Sequence, residues 1–282
     1  MAFGDRRDAT RVRDIHGMQN IMFDFKPNRC DSSVYMNHKI DMTNFVKFME
    51  KEKKKNPGLT YYHGIVDVIA KTIYSRPFMN RFIANRTMYM HKEVSLASSI
   101  KVEFEDSAVE ALMVIKIDPE DTLLDVSRKT KEKVDKIRAS KEAGKDNANG
   151  AADTLGKMPK FIRVPVVGFL KWLDKHGWLP KSLMEDNLYY SSAILSNLGT
   201  FKVGAIYHNL TNFGTSSSLI TFGEIKEENG KWFMEMGATI DERIADGFYF
   251  CKALKLIEYI FETPELMMKP AGEKVKYPEN RK

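Results

Sequence analysis

Residues 238–250, ATIDERIADGFYF, place three carboxylates and an arginine in seven positions, between a β-like run and a strongly apolar helical one. Strand-to-helix corners are where α/β proteins commonly keep reactive groups, and Glu242 stands at the centre of this one. A glutamate serves as a general base near neutral pH when burial lifts its carboxyl to a pKa of ~6–7. An exposed salt bridge to Arg243 is the ordinary fate of a D-E-R run. Both readings stay open for Glu242. Upstream, LSNLG sets Ser196 and Asn197 at the end of another β-like run, a pattern that by itself reads as a turn.

Six histidines offer other bases. His63 follows two tyrosines on a helical stretch, and His208, in AIYHNLTNFG, is the preferred substitute base. His16, His38, His91 and His176 have no paired ligand spacing, so no metal site is expected. The two cysteines, Cys30 and Cys251, lack C-x-x-C spacing; they point to a reducing cytoplasm rather than to a disulfide framework.

The 282-residue chain is 43% hydrophobic, enough for a sizeable core, and is read as one domain spanning 1–282. Its +6 charge is spread along the whole chain, so no nucleic-acid surface is expected. No run reaches the ~18 apolar residues of a membrane span, and the N-terminal residues do not read as a signal peptide.

Residues 40–54 open with Asp and Thr suited to capping. They then place Phe45, Phe48 and Met49 at helical spacing before a lysine-rich end. Residues 60–74 predict a second amphipathic helix, apolar at 62, 65, 66, 69 and 73, that stops near Pro77. TMYMHKEVSLASSIKVEF and VEALMVIKI read as strands. DPEDTLLDVSRKTKEKVDKIRASK predicts a helix with a charged outer side, and EAGKDNANGAAD a loop. Residues 158–180, apolar and aromatic but interrupted by Pro165 and Gly168, predict one or two short helices. YYSSAILSNLG, SSSLITFGEI and KWFMEMGATI predict three more strands. A final helix aligns Phe250, Leu254, Ile257 and Phe261 on one face. The class is α/β or α+β with a mixed sheet.

The ordered series IDMTNFVKFMEK, LTYYHGIVDVIAKTIYSRPFMNRFI, IDPEDTLLDVSRKTKEKVDKIR, LSNLG and DERIADG resembles the catalytic domain of the dihydrolipoamide acyltransferases of 2-oxo acid dehydrogenase complexes. Chloramphenicol acetyltransferase is a more distant relative. The resemblance runs from about residue 10 to residue 268. It implies an α/β, chloramphenicol acetyltransferase-like two-layer fold, a mixed sheet backed by helices. It also implies a homotrimer with active sites in channels between subunits, and coenzyme A or acyl-coenzyme A as substrate. The family's last motif is H-x-x-x-D-G. Asp246 and Gly247 match it, with Asp246 a structural ion-pairing residue and Arg11 or Arg13 its candidate partner. Ser196 falls where the family carries the hydroxyl that binds the oxyanion, with Asn197 beside it. The position of the catalytic His holds Glu242.

That exchange matters energetically. A thiol near pKa ~8.5 and an ordinary glutamate near ~4.3 are mismatched by about 6 kcal/mol for proton transfer. Two functions therefore remain: a coenzyme A-dependent acyltransferase using Glu242 or His208, and a catalytically inactive trimeric scaffold or ligand-binding homologue. No lipoyl or peripheral-subunit-binding domain is expected before residue 10, so an acyl carrier would come from elsewhere. Segment 156–188 has no obvious family counterpart and is expected to be an insertion. It could cap the channel or shape an acyl pocket, cover exposed sheet or a subunit contact, or touch a membrane shallowly. The covering role is the plainest of these.

Overall fold

Thr60 starts the central helix of the protein. Its hydroxyl accepts the backbone N–H of His63 (3.4 Å) and its own N–H donates to His63 Nδ1 (3.2 Å), so two open donors of the helix start are satisfied reciprocally. The helix, α3 (Tyr61–Ser75), is buried at every position from His63 to Ile73, whereas its spacing predicted an exposed face. It is enclosed by α2 (Thr43–Lys55), α4 (Leu123–Glu142), α8 (Gly247–Glu262) and a sheet. Gly64 admits α2: a Cβ there would lie 2.6 Å from the Phe45 ring.

The computed structural model describes residues 4–101, 110–142 and 150–277. The sheet under these helices has six strands: β2 (Ser33–Asp41), β9 (Lys231–Asp241), β8 (Ser218–Glu228), β7 (Ala193–Asn197), β5 (Val94–Lys101) and β6 (Glu110–Ile117), in that spatial order. β7 runs parallel to both its neighbours and the other ladders are antiparallel, so the sheet is mixed. A separate antiparallel sheet joins β1 (Ala9–Arg11), β4 (Thr87–His91) and β3 (Arg81–Ala84).

Strand alternation sorts β9 into two faces. Met234, Met236, Ala238 and Ile240 join the helical core; Glu235, Gly237, Thr239 and Asp241 take the other side. The chain between β7 and β8 crosses this second side. There Thr221 Oγ1 donates to the Ile206 carbonyl (2.6 Å), and a Cβ on Gly237 would stand 2.9 Å from that same oxygen.

Several elements depart from their sequence patterns. β1, α1 (Gly17–Phe25) and β2 were not expected before residue 40. β2 is an edge strand mixing exposed and half-buried positions, and α1 has no side-chain cap. Asp41, expected to begin a helix, ends β2 and accepts the N–H of Thr43 (2.9 Å). The loop expected over 142–153 gives way to α5 (Gly150–Lys157), while residues 143–149 lie outside the described residues.

The aromatic segment forms one continuous helix, α6 (Lys160–Lys175), through Pro165 and Gly168, followed by α7 (Lys181–Met184). Pro165 removes the bond to the Phe161 carbonyl, but Phe161 lies on the exposed side, where water can replace it. The C-terminal end of α6 is pinned by buried Asp174. Arg6 donates to its carboxylate (3.2 Å) and its carbonyl (2.5 Å), and Gly214 N–H donates to its second oxygen (3.1 Å).

Candidate active site

The crowd of charge at the end of β9 resolves into two separate pairings. Asp241, fully buried, accepts from Arg243 through both oxygens, from Nε at 2.8 Å and from Nη2 at 2.7 Å, and also takes the Arg243 backbone N–H at 3.1 Å. The bidentate fork is available because residues i and i+2 at a strand end share one side. Arg243 Nη1 also donates to the Lys26 carbonyl (2.7 Å), and Gln19 donates to the Arg243 carbonyl (3.1 Å), which ties the corner to the end of α1.

Arg29 completes the buried cluster, with Nε 3.8 Å from Asp241 and its other nitrogens donating to the carbonyls of Thr211 (2.7 Å) and Gly214 (2.9 Å). Burial pulls the Arg29 guanidinium below its ordinary value, and the charge of Asp241 acts against that pull. Two of the corner's charges are thus structural.

Glu242 faces the other way. Its carboxylate pairs with the Lys26 ammonium, not with Arg243 as a D-E-R run suggests, and both side chains are about a third exposed. A carboxyl that works as a base near neutrality ordinarily occupies a dry, unpaired pocket. Asp246 caps α8, its carboxylate accepting the Tyr249 N–H at 2.7 Å, with Gly247 as the first helical residue. The Asp5 carboxylate accepts the Arg11 backbone N–H (3.0 Å) and pairs with Arg13 Nη2 (3.4 Å), while the Asp246 carboxylate serves as a helix cap.

Ser196 ends β7 on the sheet side away from the helices, in register with Thr221 of β8. Asn197 Oδ1 accepts the Gly199 N–H (3.0 Å), shaping the turn that follows. Gly199 is required there, since a Cβ would meet the Gly223 carbonyl at 2.9 Å. Thr221 in turn pairs with Gly237, five residues before Glu242 on β9. Two strand spacings across and five residues along put Ser196 and Glu242 about 19 Å apart within one chain. His208 is exposed on the chain crossing the sheet; the bonds holding that crossing come from its neighbours, Ile206 to Thr221 and Asn209 to Tyr35. Among the described residues no group of three or more His, Cys, Asp and Glu side chains could hold a metal.

Sequence reasoning missed Lys26, Arg29 and the Asp241–Arg243 fork. The i, i+2 spacing of Asp241 and Arg243 at a strand end was a usable signal for the fork. Nothing local marks Lys26, 216 positions from its partner.

The mixed six-stranded sheet and its helical cover have the chloramphenicol acetyltransferase-like fold. Solved structures share it over most of the chain. A probable dihydrolipoamide acetyltransferase from Listeria monocytogenes has a TM-score of 0.55 at 15% identity, covering 90% of this chain and 95% of that one. The truncated catalytic core of the 2-oxoacid dehydrogenase multienzyme complex from Thermoplasma acidophilum gives 0.57 at 16%, over 90% and 99%. A chloramphenicol acetyltransferase gives 0.58 at 11%, also over 90% and 99%. No protein-family model and no curated protein sequence matches the chain.

Proposed function

We propose that this chain is a coenzyme A-dependent acyltransferase whose active site is completed between copies in a homotrimer, in a reducing cytoplasm. The separation of Ser196 from Glu242 carries this reading. The S-N-L-G turn lies two strands across from the D-E-R-I-A-D-G corner, with Ser196 level with Gly237 and five residues short of Glu242, too far apart for one chain to close a site around a single carbonyl. In each site Ser196 of one copy donates its hydroxyl to the oxyanion, and the corner of the next copy handles the proton. The acceptor, a thiol, amine or hydroxyl, attacks the thioester carbonyl carbon. Its proton passes to the Glu242 carboxylate, the tetrahedral intermediate collapses with loss of the coenzyme A thiolate, and Glu242 returns the proton to that thiolate.

The Glu242–Lys26 ion pair favours a second reading: a trimeric homologue that binds an acyl thioester without transferring its acyl group. Calorimetry with acyl-coenzyme A and a transfer screen over thiol, amine and hydroxyl acceptors distinguish the two. Transfer by the wild type that Glu242→Gln abolishes supports Glu242 as the base, and transfer that survives the substitution removes it from that role. Binding without transfer, with activity created by Glu242→His, supports the second reading. A chain with neither binding nor transfer ends both.

A further inference from the structure

Acyl transfer leaves the outer face of α6 and the turn after it without a role. Val166, Leu170, Leu173 and Asp174 face the rest of the chain, whereas Phe161, Pro165, Phe169 and Trp172 line the opposite side. Phe161 is 77% exposed, Phe169 58%, Trp172 46% and Trp178, just past the helix, 56%. Three of the rings are contiguous, Phe169 6.0 Å from Trp172 and Trp172 5.4 Å from Trp178, and Phe161 lies about two turns back along the same face. Contiguous exposed aromatics of this kind mark a contact site rather than scattered surface residues.

Charge identifies the contact. By helical geometry the aromatic stripe spans about 80° of the circumference, and exposed Lys160, Lys171 and Lys175 fill about the next 60°. Asp174 is the one carboxylate in α6, and it is buried and bonded to Arg6. Just beyond the helix, Glu185 is paired with Lys181 and Asp186 with Lys133. The exposed charge of α6 is therefore entirely positive beside an aromatic stripe. Among the described residues no helix is long and apolar enough to cross a membrane.

We propose that α6 docks the protein on an anionic membrane surface. The rings of Phe161, Phe169, Trp172 and Trp178 enter the boundary between headgroups and acyl chains, while the lysine row meets lipid phosphates. Antiparallel twofold packing of a second copy through the stripe would bring the lysine rows of both copies together. The Arg6–Asp174–Gly214 bonds fix the end of the helix on the fold, so the docking face is held ready before contact.

The test is co-sedimentation of the full chain with vesicles of phosphatidylcholine alone or with added phosphatidylglycerol, read together with tryptophan emission. Binding is expected on the anionic vesicles only, with emission shifting to shorter wavelength. K160E/K171E/K175E should lower the partition coefficient roughly a hundredfold. F161S/F169S, which keeps both tryptophans of the patch, should lower it at least about tenfold. All three lysines are exposed, so the charge variant remains informative if the aromatic one misfolds. Wild type left in the supernatant with anionic vesicles overturns the proposal, as does equal binding to neutral and anionic vesicles. Absence of vesicle binding together with a change of oligomeric state in F161S/F169S overturns it in favour of a contact between copies.

Discussion

Ser196 and Glu242 lie two strands apart in one sheet, linked by the register Ser196–Thr221–Gly237, with Glu242 five residues beyond Gly237 and about 19 Å from Ser196. No single reacting carbonyl can touch both within a chain. Ser196→Ala should lower transfer ~10²–10³-fold without unfolding the protein. Co-refolding equal amounts of Ser196→Ala and Glu242→Gln chains should then restore about a quarter of the wild-type rate, because one interface in four joins the two intact halves. A mixture as inactive as its parts would show that the residues do not meet across copies.

The Lys26–Glu242 pair is about a third exposed, so its share of stability is small. Lys26→Met and Glu242→Gln should each change unfolding free energy by less than about 1 kcal/mol in urea titrations. A larger loss in either variant would give the pair a structural role.

Arg243 contrasts with its neighbour. Arg243→Met leaves the fully buried Asp241 without its bidentate partner, which should cost about 3–5 kcal/mol. Denaturant unfolding of the two sets of variants side by side checks the ranking, and the Arg243 variant should lose far more.

Burial lowers the His63 imidazole to about 4 in the folded chain, against ~6.5 when unfolded. Between those values the unfolded chain binds a proton that the folded chain excludes, so stability is full above about pH 6.5 and falls as the pH drops through about 4, by about 3 kcal/mol. His91, also lowered to about 4 by burial, acts in the same direction. Unfolding midpoints of wild type and His63→Gln should therefore diverge in slope over this range, with the variant the flatter.

Asp67 works with the opposite sign. Burial pushes its carboxyl well above the ordinary carboxylate range, against the opposing charge of Lys71, and neither of its oxygens has a hydrogen-bond partner among the described residues. The folded chain keeps a proton that the unfolded chain releases, so this contribution is present below about pH 4 and is lost as the pH rises through the raised value of the folded carboxyl. The advantage of Asp67→Asn in unfolding free energy should grow across that interval. A constant difference would place the titration elsewhere.

Periodicity carried α2, α3, α8 and the strands β7, β8 and β9, because their side chains alternate or recur with the geometry of the element itself. It did not reveal that α3 is enclosed on all sides. That depends on which elements pack around it, and Gly64 mattered only once Phe45 was placed against it. α1 and β2 escaped notice because an uncapped short helix and a half-exposed edge strand have little apolar regularity. The order of motifs singled out Ser196, Glu242, Asp246 and Gly247 as a series, but not the groups that Asp246 and Glu242 would meet. Asp246 took a helix N–H and Glu242 took Lys26.

Local matters were legible in the residues alone: the helical and strand periods, the strand-to-helix corner and the order of the motifs. Each depends on neighbours within a few positions, where backbone geometry and capping act. The partners that lie far apart in the chain were set by the tertiary fold. Glu242 went to Lys26, 216 positions away, Arg29 joined the buried Asp241, and Ser196 was set two strands from Glu242. Strand register and burial set those partnerships, and a charged side chain pairs with whatever the fold brings within reach.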